Sequence, residues 1–215
     1  MSQLLSDISA ALQGGKAKVV KELIEQALAE GMSAQTILQD GLMSGMDIIA
    51  VKFKNNEVYV PEVLLAARAM NTGTALLKEQ LAESGAKPFA KAVLGTVKGD
   101  LHDIGKNLVR MMLEGKGIEV IDMGVDVHED KFVEAVKAEK PDIVAMSALL
   151  TTTMGELGTV VEALKAANVR DDLIVMVGGA PVTDGYCKSI GADIYSPDAA
   201  SAADAAKQAI LDKTS

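Results

Sequence analysis

The hydrophobic period of this chain changes once, near residue 88, and that change limits the possible folds more than any other feature of the sequence. Before it, apolar residues recur every three to four positions. Val19, Val20, Leu23, Ile24, Ala27 and Leu28 form one helical stripe that stops at Gly31. Ser33 is placed to N-cap a following helix with a stripe of Ile37, Leu38, Leu42, Met46, Ile49 and Phe53, and Pro61 opens another carrying Val63, Ala67, Met70, Thr74, Leu77 and Leu81. With a short helix near Leu4 to Leu12, residues 1–87 are expected to form a four-helix bundle. After GAKPFAK, short apolar runs alternate with amphipathic helices, the pattern of a parallel sheet with right-handed crossovers. Strands are expected near Ala92–Val97, Glu119–Met123, Ile143–Met146, Leu173–Val177 and Asp193–Tyr195. The expected class is α/β: a bundle over 1–87, then a five-stranded, parallel, doubly wound domain of flavodoxin-like or Rossmann type over 88–215.

Composition narrows the function classes. The chain has 215 residues, 49% apolar and 24% charged, with no apolar run near the roughly 18 residues of a membrane span. It carries 21 basic against 30 acidic residues, net −9, a field that repels nucleic acid and anionic lipid. Neither half is basic: 8 against 10 up to Lys87, then 13 against 20. No Trp and only three Tyr and three Phe leave few platforms for stacking bases. One cysteine, Cys187, cannot make an internal disulfide, and the start has no secretion-signal pattern, so a cytoplasmic protein with no nucleic-acid or membrane partner is expected.

In a doubly wound domain, ligands bind beyond the carboxyl ends of the strands. The loop after the first strand reads KGDLHDIGKNLV, with His102 two residues after Asp100. A carboxylate that accepts one imidazole N–H leaves the other nitrogen for a metal. The same residues also allow a plainer arrangement, in which Asp100 or Asp103 caps the next helix and His102 faces solvent. Two histidines and one cysteine cannot supply a structural zinc site, so a metal at His102 must bring most of its own ligands. The loop after strand three offers the hydroxyls of Ser147, Thr151, Thr152 and Thr153, and strand four ends in Gly178 and Gly179, where the backbone can approach a ligand closely. His128 is expected to be exposed near a helix start, and Cys187 to pack as a small apolar side chain.

These pieces form a pattern: D-x-H-x-x-G at Asp100, His102 and Gly105, then S-x-L at Ser147 and Leu149, then the glycine pair. It resembles the signature of cobalamin-binding domains. The stretch GMDIIAVKFKNNEVYVPEVLLAARAM resembles the helical cap that precedes this domain in corrinoid proteins of methylamine, methanol, betaine and aryl methyl ether methyltransferase systems, a methionine synthase-like arrangement.

The resemblance implies cobalamin or a related corrinoid as cofactor, with His102 as axial cobalt ligand and Asp100 holding its other nitrogen. Gly99, Leu101, Asp103, Ile104 and Gly105 would line the cofactor beside them. Ser147, Leu149 and Thr151 would meet the nucleotide tail, Gly178 and Gly179 would make room for it, and Ala199 would touch it. Tyr59 and Met70 would contact the cofactor from the cap, which must move about a hinge near Ser84, Gly85 and Pro88. The implied function is methyl carriage. Co(I) takes a methyl group from a small donor with the help of a substrate-specific methyltransferase. As methyl-Co(III), the cofactor passes it through an acceptor-side methyltransferase to a thiol or tetrahydrofolate, and a reductive activase restores lapsed cobalt. The chain alone would turn over little.

The main rival is a cobalamin-sensing regulatory module, but sensors of that kind carry a basic helix-turn-helix that this acidic chain does not display. A radical mutase subunit would be accompanied by a barrel. An FMN protein would place its hydroxyl-rich loop after strand one, and a receiver domain would need an Asp where Ser147 stands.

Overall fold

The computed structural model describes residues 2–85 and 88–214. Its chain divides into two compact units, Met1–Pro88 with Gly115–Gly117, and Phe89–Glu114 with Ile118–Ser215. The first is helical: α1 (Gln3–Gln13), α2 (Ala17–Ala29), α3 (Ala34–Thr36) running through a π-helical stretch (Ile37–Met43) into α4 (Ser44–Lys54), and α5 (Val60–Glu83). Counting Ala34–Lys54 as one rod gives four, with α1 packed on α2 and α4, and α5 packed on α2 and α4.

Local chemistry fixes the helix starts. Ser33 Oγ accepts the Thr36 N–H at 3.1 Å, an N-cap worth about 1 kcal/mol. The Tyr59 N–H donates to the Glu62 carboxylate at 2.9 Å, with Pro61 in the first turn of α5. Val20, Ile24 and Ala27 are the buried face of α2, whereas Val19 lies off that face and is exposed, contrary to the stripe drawn from sequence. The third rod departs from a uniform 3.6-residue period. Ile37 and Leu42, five residues apart, are both buried together with Gly41, and the π-helical turn lets both point into the core.

The second unit is a parallel sheet in the order β2-β1-β3-β4-β5, formed by β1 (Ala90–Thr96), β2 (Ile118–Asp122), β3 (Ile143–Ser147), β4 (Ile174–Gly178) and β5 (Ile194–Tyr195). Helices α6 (Ile104–Gly115), α7 (Glu129–Glu139), α8 (Gly155–Ala166), α9 (Asp184–Ser189) and α10 (Ala199–Thr214) lie between and after the strands. This is the flavodoxin-like doubly wound order, with the switch in strand direction of growth between β1 and β3. Alternate strand residues build the core: Val93, Val144, Met146 and Val175 pack with Phe132 of α7 and Val160, Val161 and Leu164 of α8. Burying a side chain of this size stabilises the fold by about 1.5–3 kcal/mol each, which is why these strands read as short apolar runs. Among the described residues, no helix is long and apolar enough to cross a membrane.

The expected hinge falls partly outside the described residues. Gly85, at φ 70°, follows the end of α5, whereas residues 86 and 87 are not among those described.

Candidate functional site

The sheet register brings the three loops of the sequence pattern side by side. Thr96 pairs with Ser147, and Ser147 pairs with Gly178, so β1, β3 and β4 end on one line. The chain leaving β1 then turns sharply: the Val97 N–H donates to Ser147 O at 3.0 Å, and the Asp100 N–H to Val97 O at 3.2 Å. Gly99, at φ 76°, sits at the bend, a conformation that favours glycine. The buried Thr96 hydroxyl donates to His102 O at 2.9 Å and ties the far end of the turn to the strand.

Asp100 is the hub of the site. Its side chain is fully buried. One oxygen accepts the His102 backbone N–H at 3.1 Å and meets His102 Nδ1 at 2.7 Å. The other accepts the Leu149 and Leu150 N–H groups at 2.7 and 3.3 Å and the Thr153 hydroxyl at 2.7 Å. Burial alone pushes this carboxyl up. The donors of Thr153, His102 and Leu149 outweigh it and hold Asp100 well below the usual carboxylate range. An ionised Asp100 is an acceptor only, so the proton between the two side chains belongs to Nδ1 and the lone pair of the imidazole is on Nε2.

The capping alternative therefore fails for Asp100, whose oxygens are spent on its own loop and on the loop after β3. Asp103 stands just before α6: its backbone oxygen accepts the Asn107 N–H at 2.8 Å, and its carboxylate accepts the Asn107 side-chain amide at 3.0 Å. His102 does face solvent, with half its side chain exposed, and it does so while anchored through Nδ1. The loops beside it expose aliphatic side chains as well as polar ones. Leu101 and Ile104 are 72% and 76% exposed, and Leu149 and Leu150 are also exposed. Among the described residues, no group of three or more His, Cys, Asp or Glu could hold a metal ion. One imidazole nitrogen on a loop with exposed aliphatic side chains suits a metal that arrives with most of its ligands already in a large, partly apolar ring, and so the residues present fit a corrinoid.

The remaining expected residues separate into groups. Gly99, Gly105 and Thr151 are exposed, Ser147 is half-buried, and all lie at the carboxyl end of the sheet. The glycine pair is not one feature but two. A Cβ at Gly179 would lie 1.8 Å from Ala148 O, and its φ is 128°, so this glycine is required by the fold itself. A Cβ at Gly178 would meet nothing nearer than Ser196 O at 3.9 Å, which leaves that face open. Ala199 is buried at the first turn of α10, where the Asp198 carboxylate accepts the Ser201 N–H and hydroxyl, each at 2.8 Å. Tyr59 is exposed and Met70 buried in the helical unit. His128 is exposed at the N-cap of α7, and Cys187 is buried, which pushes its thiol up.

Thr153 was not among the residues singled out for the site, although its hydroxyl was one of four noticed after strand three. It is buried and works as a donor to Asp100. An uneven loop of four hydroxyls followed by a helix was the signal, and only the fold says which one turns inward.

Comparison with known proteins gives a consistent result. A model of the B12 binding domain matches residues 90–206, and a second B12 binding domain model matches residues 4–78. The chain is 41% identical to trimethylamine corrinoid protein 1 of Methanosarcina acetivorans over 85% of each chain, and 40% identical to dimethylamine corrinoid protein 3 of the same organism over 97% of each. Among solved structures it resembles the methanol:cobalamin methyltransferase complex MtaBC from Methanosarcina barkeri, with a TM-score of 0.88 at 30% identity, covering 98% of this chain and 80% of that one. A cobalamin-binding protein from Desulfitobacterium hafniense DCB-2 gives 0.79 at 33% identity, over 95% and 97%. Because both units are matched, in the same order and along nearly the whole of such relatives, the chain belongs to the B12-binding corrinoid protein family.

Proposed function

We propose that this protein carries a methyl group on a bound corrinoid between two methyltransferases, one specific for a small methyl donor and one serving a thiol or tetrahydrofolate acceptor, with a reductive activase as a third partner. The observation that carries this reading is the Asp100–His102 pair: a buried, fully hydrogen-bonded carboxylate under a half-exposed imidazole whose Nε2 is unspent. When bound, the corrinoid supplies a cobalt centre that can accept and release a methyl group. His102 Nε2 is the proposed axial ligand, and Asp100 governs how strongly it donates by holding Nδ1–H. The carboxylate holds Nδ1–H whether or not Nε2 is coordinated. The Thr153 hydroxyl and the Leu149 N–H keep that carboxylate in place through either state.

Leu101, Ile104 and Leu149 offer apolar contact to the ring edge; Gly99 and Asp103 share the loop of Leu101, and Gly105 follows Ile104 in the first turn of α6. Ser147, Thr151 and the open face at Gly178 are the proposed contacts of the nucleotide tail, with Ala199 near its end. Tyr59 and Met70 are the proposed contacts from the helical unit. Methylamine and methanol systems are the sources suggested by the relatives named above.

The test is the visible spectrum of the protein reconstituted with hydroxocobalamin, beside His102→Ala, before and after reduction and addition of a methyl donor with its methyltransferase. One-to-one binding, an axial spectrum that depends on His102 and methylation of the reduced cofactor are the expected result. A wild-type protein that retains no corrinoid, or a spectrum unchanged in His102→Ala, overturns the assignment.

A further inference from the structure

The turn that presents His102 is gripped from two sides. On the β3 side lie the donors to the Asp100 carboxylate already described. On the β2 side lies Asp126, in the loop that joins β2 to α7. One Asp126 carboxylate oxygen accepts the Gly99 N–H at 2.6 Å, and the Asp126 N–H donates to Asp100 O at 3.0 Å. These two bonds run in opposite senses and close on the same dipeptide, Gly99–Asp100. The neighbouring Val127 N–H donates to Thr96 O at 3.0 Å, and Val127 forms a parallel bridge with Val97, so the loop prolongs the sheet edge past the end of β1.

Two details show that the contact is built. Asp126 has φ 55°, a left-handed conformation that few side chains other than Asn and Asp adopt readily. Gly99, its partner, is left-handed as well, at φ 76°. An exposed hydrogen bond of this kind adds little to global stability, so its effect lies in geometry.

We propose that Asp126 is a positioning residue for His102: by clamping Gly99–Asp100 from the β2 side, it sets where the Asp100 carboxylate meets Nδ1 and hence how firmly Nε2 is presented to the corrinoid. The proposal rests on the reading of His102 as the axial ligand. It adds a third member to the His102–Asp100 pair that makes no contact with the imidazole.

Two substitutions separate the side-chain bond from the backbone conformation. Asp126→Asn keeps an oxygen acceptor and tolerates φ 55°. Asp126→Gly keeps the conformation and removes the acceptor. Each is made with 15N-labelled histidine, loaded with Co(II) cobalamin and its paramagnetic resonance spectrum recorded: histidine 15N on cobalt splits every cobalt line into two, whereas the 14N of the cofactor's own base splits it into three. In Asp126→Asn the histidine-bound fraction stays at the wild-type level. In Asp126→Gly the ratio of histidine-bound to unbound cofactor falls about tenfold, the weight of one such hydrogen bond, while the cofactor is retained. A Gly variant with the wild-type ratio overturns the proposal, and so does an Asn variant that falls as far as Gly.

A second measurement needs no cofactor. With only two histidines in the chain, the ring nitrogens of His102 can be read by 15N resonance of the apoprotein, with His102→Ala as the assignment. At alkaline pH the wild type and the Asn variant show the single tautomer with the proton on Nδ1, and the Gly variant shows a mixture. A single tautomer in the Gly variant overturns the clamp. No two-line splitting by histidine 15N in wild-type Co(II) protein, with the tautomer result intact, overturns axial ligation by His102 and leaves the clamp standing.

Discussion

Asp100 follows β1 and Asp122 ends β2, so two carboxylates stand at the carboxyl ends of neighbouring strands, and both are held below the ordinary carboxylate range. They differ in who holds them. Asp100 is satisfied by neutral donors and one imidazole, and its network ends on a half-exposed ring with a free nitrogen. Asp122 is satisfied by cations. Lys106 Nζ, with its side chain 2% exposed, lies 2.5 Å from one oxygen, Arg110 lies 3.4 Å from the other, and the Gly124 N–H donates at 2.9 Å. Lys106 also donates to the Asn107 side chain at 3.0 Å, so its ammonium is spent inside the protein, while Arg110 Nε is buried without a partner. The difference teaches how to tell a fastener from a site. A buried cation on a carboxylate pins α6 to β2 and leaves nothing for a ligand, whereas a buried carboxylate under an exposed imidazole leaves one nitrogen unspent for chemistry.

The largest effect expected is from Asp100→Ala. The Leu149, Leu150 and His102 N–H groups and the His102 Nδ1–H lose their acceptor together, while the Thr153 hydroxyl keeps Leu150 O at 3.1 Å. At about 1–3 kcal/mol for each buried donor left unsatisfied, with partial relief by water at His102, stability falls by about 3–5 kcal/mol, read from the urea midpoint. The axial spectrum of the loaded protein should be lost in the same variant. If the variant keeps wild-type stability and spectrum, Asp100 is not the hub that its hydrogen bonds make it.

Lys106→Met should behave in the opposite way. Removing one member of a buried ion pair costs about 3–5 kcal/mol when the other is stranded, but Asp122 is 22% exposed and keeps Arg110 and Gly124, so about 1–2 kcal/mol is expected. The axial spectrum should not change. A variant that loses histidine ligation without losing stability would break the comparison, because it would make the fastener part of the site.

Much of this was legible in the sequence, and the reasons are physical. The strands of a parallel sheet are buried on both faces, so they appear as short apolar runs, and the observed strands begin and end within two residues of the expected ones. The Asp100–His102 pair was legible because it is local, two residues apart. Thr153 was not, because it meets Asp100 across 53 residues and no short-range period announces such a contact. Lys106 and Asp122 were not singled out for the same reason, 16 residues and a helix apart. The glycine pair was legible as composition but not as function. Sequence shows two residues without side chains, and only the Ala148 backbone, 1.8 Å from a Cβ at Gly179, shows that one of them serves the fold. The uneven helical period over Ile37 to Met43 shows the same limit, since a π-helical turn moves the buried face by one residue without any Pro to mark it.

The smallest effect expected is a difference in acid sensitivity, and its sign follows from the direction of each shift. Asp122 is pushed up by burial and pulled down further by Lys106, the Gly124 N–H and Arg110, so its folded value lies below the ordinary 3.8. A depressed carboxyl stabilises the fold fully above its unfolded pKa and ceases to do so as pH falls through the folded value. Asp100 has the same sign. Glu114 has the opposite one, since burial and the nearby Asp122 charge raise it, against Arg110, and protonation relieves a cost as pH falls. The unfolding free energy of the wild type should therefore decline below about pH 4, with a limiting slope of about 1.4 kcal/mol per pH unit for each proton taken up on unfolding. In Lys106→Met the decline should be shallower by less than one proton, because Asp122 starts from a less depressed value while Asp100 is untouched. Urea titrations of both proteins between pH 5 and pH 2 measure the two slopes. Equal slopes would mean that Lys106 contributes nothing to holding Asp122 ionised, and the closed network would then rest on Arg110 and Gly124 alone.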